Sequence, residues 1–270
     1  MLLNDGGLCL IDNQDITILS EERFTRKKYS GGFENSLNEL LKRKHLSISD
    51  IDLFVFSSCC ELPEFDLKFD YIPKDKICII PSHHLSHAYS TYFSSGFNEA
   101  LIIVMDNEGN IVNDLGKDKF YENDLEHMTY YIAKGKKVKL YNRENVNPKN
   151  IGVCDAYRYF THYLGFLSYV YAGKTMGLAP YGNPDKYKDV DIFNFDENTG
   201  DITCKIKNNY ENCCKSIKEF FEENYNKEII APRAPIDDIT QDYADLAYLI
   251  QDQVEKILIK KINYLIKRQV

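Results

Sequence analysis

Tryptophan is absent from this 270-residue chain, and proline occurs only 8 times. No stretch approaches the roughly 18–20 consecutive apolar residues of a membrane-spanning helix, so we expect no membrane partner. No basic region precedes an apolar one near Met1, which predicts that there is no secretory signal. The ordinary shares of apolar (44%) and charged (27%) residues exclude intrinsic disorder, collagen and coiled-coil rods.

Basic residues are outnumbered by acidic ones. The 33 Lys and Arg residues against 41 Asp and Glu residues give a net charge of −8. A nucleic-acid binder is expected to carry an excess of basic residues, which this chain lacks. None of the eight cysteines forms a C-x-x-C pair, and the chain is far longer than a disulfide-stapled mini-protein. We therefore expect a reducing, cytoplasmic setting, with most cysteines serving as small core residues.

Apolar runs of strand length alternate with helical spacing over residues 1–110, which predicts a first α/β lobe with a mixed sheet. A turn composition at 12–15 separates two apolar runs and predicts an opening hairpin. Helices are expected at 33–44 and 83–93, and further strands at 53–56, 77–80 and 100–105.

Residues 111–238 are expected to continue this lobe with a hairpin around Lys134-Gly135, a helix at 151–164, a glycine-rich loop and a peripheral insertion. We expect that insertion, within 183–235, to hold a strand at 202–206 and a helix at 213–224. Residues 239–270 have one apolar stripe at helical spacing, which predicts a long amphipathic helix. Two interpretations stay open: the helix docks on the preceding domain, or the chain is part of something larger.

Three of the six histidines fall within the string Pro81-Ser82-His83-His84-Leu85-Ser86-His87. On a helix, His83 and His87 share a face at a spacing that lets both imidazoles reach one ion, whereas His84 points elsewhere. Asp106 follows the predicted strand at 100–105 and offers a carboxylate at its C-terminal edge. Two histidines and one carboxylate suit Fe²⁺, Mn²⁺ or Zn²⁺. The alternative is that these are surface or capping histidines without a metal.

Three other segments combine residue types that can bind an anion, although each also has a simpler interpretation. Asp106–Asn110 follows a strand and can bring backbone N–H groups to a phosphate, or it is a solvent-exposed turn. Ala172–Gly182 has glycines, one lysine and a hydroxyl, but lacks the frame of a P-loop, so it predicts only a loop able to wrap an anion. The charged run Glu21–Lys28 is typical of solvated surface.

Taken together, these motifs resemble the O-carbamoyltransferase family of the nodulation protein U and cephamycin carbamoyltransferase type. The family pattern contains E-E-R-x-x-R, H-H-x-x-H-A, a strand ending in D-G-x-G, and G-K-x-M-G-L-A-x-Y-G. The matching strings here are Glu21–Arg26, His83–Ala88, Asp106–Gly109 and Gly173–Gly182, with a further likeness at Tyr157–Phe166. Their order and approximate spacing both agree with the family over essentially the whole chain.

The resemblance implies a fold of the actin, sugar-kinase and Hsp70 type (ASKHA), built on ribonuclease-H-like sheets. It implies that carbamoyl phosphate and ATP give carbamoyl adenylate, whose carbamoyl group passes to a hydroxyl of a small molecule. It implies His83, His87 and Asp106 as ligands of a divalent metal, with Fe²⁺ favoured. Candidate catalytic residues are Asp5 and Lys174, and candidate substrate- and nucleotide-binding residues are Arg23, Arg26, Asn107, Gly109, Gly173 and Gly177.

The chain also departs from the family pattern. Family members are much longer and continue after the helix matching 239–270 into a second lobe and a second domain, so a C-terminal partner chain is one expectation. Asn4 replaces a family histidine, which removes an acid/base group, and Asn107 replaces the first glycine of D-G-x-G. Two hypotheses follow: an N-terminal part of an O-carbamoyltransferase that is inactive alone, or an inactive relic or scaffold that binds a metal or nucleotide.

Overall fold

The computed structural model describes residues 6–57, 71–106, 109–111, 125–146, 151–167 and 171–269. It contains small sheets and helices in alternation, which confirms the predicted α/β class. Contacts between Cα atoms group the chain into two compact units. The first comprises Met1–Val104, Glu108–Lys117 and Met128–Arg143, and the second Met105–Asn107, Asp118–His127 and Glu144–Val270.

The first unit opens with the predicted hairpin of β1 (Gly7–Asp12) and β2 (Asp15–Ser20). The strands are antiparallel, and their register places Leu10 opposite Thr17. Asn13 begins the turn with a φ of 54°, in the left-handed region that asparagine tolerates better than most residues. The turn composition at 12–15 therefore indicated the correct local structure.

A short helix, α1 (Glu22–Thr25), leads into α2 (Glu34–Lys44), which buries Leu37 and Leu40. Two short strands, β3 (Phe54–Phe56) and β4 (Ile77–Ile79), then pair in parallel, which forms a second two-stranded sheet. The helix and both strands lie where the apolar pattern predicts them.

A three-stranded sheet of β5 (Glu99–Met105), β6 (Leu125–Lys134) and β7 (Lys137–Val146) follows the helix α3 (His83–Ser95). One buried cluster joins the helix to β5 and β6, and its members are Ala88, Tyr92, Ile102, Val104, Tyr131 and Ala133. The start of α3 is therefore held against this sheet. The strands β6 and β7, which form the hairpin predicted around Lys134-Gly135, are longer than expected. Their outer residues include buried polar side chains such as Glu126, which an apolar pattern does not reveal.

The second unit is mainly helical and is built around α4 (Val153–Tyr163), α5 (Ala172–Leu178), α6 (Cys213–Tyr225) and α7 (Gln241–Gln269). The predicted insertion contains the antiparallel pair β8 (Phe193–Phe195) and β9 (Ile202–Cys204) before α6. The strand and helix that the sequence predicts within the insertion are thus present, as are the helix at 151–164 and the long terminal helix.

Most of the apolar stripe of α7 is covered by its own unit. Tyr243, Ala247, Ile250, Val254, Ile257 and Leu265 are buried, whereas Ile262 and Ile266 are 37% and 51% exposed. Lys261, next to Ile262, is buried, and its ammonium donates to a carboxylate oxygen of Glu144 (2.6 Å) and to the carbonyl of Gly200 (2.7 Å). The preceding sequence therefore covers the stripe except near its end.

The glycine-rich segment is not the loop that its composition predicts. Residues 172–178 form α5, and a 3-10 turn at Ala179–Tyr181 continues it. The start of α7 fixes this segment, because the side chain of Gln241 donates to the Tyr181 carbonyl (2.8 Å) and the Asp245 carboxylate accepts from the Asn183 N–H (2.7 Å). Tertiary packing therefore overrides the weak helix propensity of glycine.

The cysteines do not form the core, contrary to expectation. Cys9 and Cys78 are exposed, and the other four described cysteines are half-buried: Cys154, Cys204, Cys213 and Cys214. Cys59 and Cys60 lie outside the described residues. Aromatic and aliphatic side chains fill the interior instead, with Tyr130, Tyr159 and Phe160 among the largest fully buried ones.

Within the described ranges, no helix combines the length and the apolar character needed to cross a membrane.

Because residues 172–182 pack against α7, we expect a substitution at Gly182 to destabilise the fold. A methyl group there would lie 2.4 Å from Cβ of Tyr248 and 2.5 Å from the carbonyl oxygen of Ala244. We expect Gly182→Ala to lower the free energy of unfolding by about 2 kcal/mol or more, because backbone cannot move aside cheaply. The matched control is Gly173→Ala, whose methyl group would meet no atom within 4 Å. Urea unfolding of both variants checks this, and equal stability of the two would contradict the packing described.

Candidate metal centre

The first turn of α3 carries the histidine motif. Ser82 precedes the helix in an extended conformation, and its hydroxyl accepts a hydrogen bond from the Leu85 N–H (3.0 Å). A serine in this place satisfies one of the backbone donors that the first helical turn leaves unpaired. The helix therefore begins at His83, and His87 lies one turn further on.

The two histidines predicted to share a face do so. Their Nε2 atoms are 3.1 Å apart, and their ring centroids are 4.6 Å apart with the planes at 84°. At this separation one ring can donate its N–H to the other, or both nitrogens can bind one ion at about 2.1 Å from each. His83 is half-buried and His87 exposed, so a ligand can reach the pair from solvent.

Asp106 directly follows β5, on which α3 packs. One ligand atom from each of His83, His87 and Asp106 lies within 4.8 Å of the other two. The backbone of Asp106 is fixed, because its N–H donates to the carbonyl of His127 (3.2 Å). Two imidazole nitrogens and one carboxylate oxygen form a donor set that fits Fe²⁺, Mn²⁺ or Zn²⁺ and leaves coordination positions open.

A thiol near Asp106 stays protonated. Burial raises the pKa of Cys154, and the negative charges of Asp106 and Asp155 raise it further. The N–H of Cys154 donates to Nε2 of His127 (3.3 Å), and a methyl group at Gly152 would collide with that imidazole. No sequence pattern predicts this cluster, because a histidine inside a strand and a glycine before a helix have no distinctive spacing.

Lys174 and the two glycines of its motif lie on α5 in the second unit. Gly173, Lys174 and Gly177 are exposed, and a methyl group at either glycine would meet no atom within 4 Å. The Lys174 ammonium lies 4.1 Å from the ring centroid of Tyr171, close enough for a cation–π interaction. Neither glycine is required by packing, so the space above this face of α5 is open to a ligand.

The charged run Glu21–Lys28 is only partly solvated surface. Arg23 and Arg26 are exposed, but Glu21 is 2% exposed and its carboxylate accepts hydrogen bonds at the start of α2. The donors are the N–H of Ser36 (2.9 Å), the Ser36 hydroxyl (2.8 Å), and the N–H and side-chain amide of Asn35. Burial works against ionisation, yet these hydrogen bonds outweigh it and hold the pKa of Glu21 below 4.5.

Two described residues of the segment Asp106–Asn110 bear on the solvent-exposed alternative. Gly109 and Asn110 are buried, so a fully solvated turn is wrong for these two residues. Asn107 and Asp5 lie outside the described residues.

A comparison with protein families agrees with the motifs. Residues 66–269 match the family model described as the carbamoyltransferase N-terminus. The chain belongs to the carbamoyltransferase family. The matched range includes the histidine pair, Asp106 and the α5 segment, whereas Arg23 and Arg26 lie before it.

Two relatives of this carbamoyltransferase N-terminal chain extend beyond it. The uncharacterized protein sll1178 of Synechocystis sp. is 27% identical over an alignment of 303 positions, which covers 95% of this chain and 46% of that protein. Nodulation protein NolNO of Sinorhizobium fredii is 27% identical over an alignment of 220 positions, which covers 70% of this chain and 29% of that protein. The chain thus spans less than half the length of either relative.

The buried carboxylate of Glu21 predicts a pH-dependent stability. Its folded-state pKa is lowered, so the stabilisation is present above pH 4.5 and is lost as the pH falls through the folded-state value. We expect Glu21→Gln to be less stable than the wild type at pH 7 and the difference to shrink by pH 3. Thermal unfolding across this range measures it. A difference that stays constant with pH would show that the carboxylate is not ionised in the folded chain.

Proposed function

We propose that this chain is the N-terminal part of an O-carbamoyltransferase that uses a divalent metal bound by His83, His87 and Asp106. The reaction is the transfer of a carbamoyl group from carbamoyl phosphate, through carbamoyl adenylate made with ATP, to a hydroxyl of a small-molecule acceptor. The proposal is supported by the grouping of these three ligands in a member of the carbamoyltransferase family.

The proposed chemistry assigns the three ligands a role at the adenylate phosphate. A bound metal, with Fe²⁺ favoured over Mn²⁺ or Zn²⁺, would supply positive charge that stabilises the phosphate oxygen from which the carbamoyl group departs. Formation of the adenylate consumes one water molecule and releases phosphate from carbamoyl phosphate and pyrophosphate from ATP. In the transfer step the acceptor oxygen forms a bond to the carbamoyl carbon, the bond to the phosphate oxygen breaks, AMP leaves, and the proton of the hydroxyl passes to solvent. His83 and His87 would bind the ion through Nε2, and the Asp106 carboxylate would be the third protein ligand.

Exposed cations and open backbone support a role in binding phosphates. Lys174 and Asp5 are the proposed catalytic residues, with Arg23, Arg26, Asn107, Gly109, Gly173 and Gly177 proposed for substrate and nucleotide. Lys174 is solvent-accessible, and the bare faces of Gly173 and Gly177 allow a ligand to approach the helix backbone closely. The glycines otherwise cost about 1 kcal/mol each in a helix relative to alanine, so a binding role explains their presence.

We further propose the ASKHA type of fold, of which the mixed α/β structure of these residues is one part. Because the chain spans less than half of its relatives, we propose that carbamoyl transfer requires the remaining part of the enzyme, in the same chain or as a partner. The exposed Ile262 and Ile266 near the end of α7 are consistent with a further covering surface.

The metal site predicts which substitutions abolish metal binding. We expect His83→Ala, His87→Ala and Asp106→Asn each to lose most of the metal, because each removes one of three protein ligands. The measurement is metal content by mass spectrometry after purification without chelators under anaerobic conditions, followed by Mn²⁺ titration. The control is His45→Asn, which removes an exposed imidazole at a left-handed position that asparagine accepts.

Metal content that is unchanged in all three variants would contradict the assigned ligands. Activity is tested separately, with the chain supplied with the C-terminal part of a carbamoyltransferase and assayed for AMP release that depends on carbamoyl phosphate. Metal binding without any carbamoyl transfer would overturn the proposed reaction while leaving the metal site intact.

A further inference from the structure

The middle histidine of the motif has a different environment from its neighbours. His84 is fully buried, whereas His83 is half-buried and His87 exposed. Successive residues of an α-helix are rotated by about 100°, so His84 lies on the side of α3 that faces the sheet. We propose that His84 is a positioning residue for the metal centre, an inference that rests on the proposed function.

The contact that carries this proposal joins α3 to β6. Nδ1 of His84 lies 2.7 Å from Oγ1 of Thr129, and Nε of the buried Arg143 donates to the same Oγ1 (3.4 Å). Because arginine can only donate, the Thr129 hydroxyl accepts from Arg143. Its oxygen therefore lies between a side chain of β7 and one of α3, in a place closed to water.

A second contact holds the same helical turn to the same strand. Oγ of Ser82 lies 3.4 Å from the hydroxyl of Tyr131, and both residues are buried. Thr129 and Tyr131 are two residues apart on β6, so their side chains lie on one face of the sheet. Ser82 and His84 are likewise two residues apart, and together the pairs fix the beginning of α3 at two points.

This attachment acts on the ligands because of where they lie. His83 is the first residue of α3, in the turn whose backbone N–H groups have no partners within the helix and which is prone to fray. The 3.1 Å separation of the Nε2 atoms depends on His83 keeping helical geometry relative to His87. His84 lies between them and is held to β6 by Thr129, so it determines the position of His83 without touching the metal.

Two substitutions remove the contact from either side. His84→Leu and Thr129→Val each replace a polar side chain by an apolar one of similar size, which removes the hydrogen bond. We expect each to weaken Mn²⁺ binding about tenfold, in the lower part of the range for residues that orient metal ligands. If both act through one contact, the double variant is no weaker than either single variant. His84→Asn, whose amide can occupy the place of Nδ1, is expected to restore most of the affinity.

The matched control is a buried hydrogen bond at the other end of the same helix. The Tyr92 hydroxyl donates to the carbonyls of Asn98 (2.9 Å) and Gly135 (3.0 Å). Tyr92→Phe is expected to lower the melting temperature by about 2–4 °C, as His84→Leu does, while leaving the Mn²⁺ dissociation constant unchanged. Absorption spectra of the Co²⁺-loaded chain provide a second readout, which is expected to change for His84→Leu and not for Tyr92→Phe.

The outcomes separate the two proposals. If the wild-type chain binds no Mn²⁺ or Co²⁺, the proposed metal centre fails. If the wild type binds but His84→Leu and Thr129→Val bind equally tightly, the metal centre stands and the positioning role is overturned. Equal weakening by Tyr92→Phe would also overturn it, because His84 would then act only through the general stability of the fold.

Discussion

The packing of α3 against β5 and β6 is the interaction on which the candidate site depends. Ala88 and Tyr92 of the helix meet Ile102 and Val104 of β5 in one buried cluster. This contact sets the position of the helix that carries both histidines, and also that of the strand that ends one residue before Asp106. Candidate ligands that are distant in sequence come together because two apolar surfaces fix the elements that bear them.

Sequence patterns predicted the elements wherever burial follows apolar periodicity. The opening hairpin, α3, α4 and α7 lie within a few residues of their expected bounds. The pattern failed where polar residues are buried or where glycine enters a helix. Glu126 and His127 hid the full length of β6, and Gly173 and Gly177 made α5 resemble a loop. In both cases tertiary contacts decide the conformation, and these are not encoded in local spacing.

The three ligand candidates could be predicted because each of them carries a local signal. A spacing of four on one helix and a carboxylate directly after a strand are both visible in the sequence. The supporting contacts could not be predicted, since Thr129 and Tyr131 lie more than forty residues from their partners at the start of α3. The role of Glu21 could not be predicted for the same reason. Its carboxylate accepts hydrogen bonds at the start of a helix fourteen residues later, whereas the charged run that contains it suggests an exposed surface.

The protonated thiol of Cys154 has a consequence for metal selectivity. Thiolates favour soft ions such as Cu⁺, whereas imidazole and carboxylate suit harder divalent ions. A thiol held neutral by burial and by the charges of Asp106 and Asp155 is a poor ligand and a poor nucleophile. The same carboxylate that is proposed to bind the metal thus also helps to keep this nearby thiol protonated.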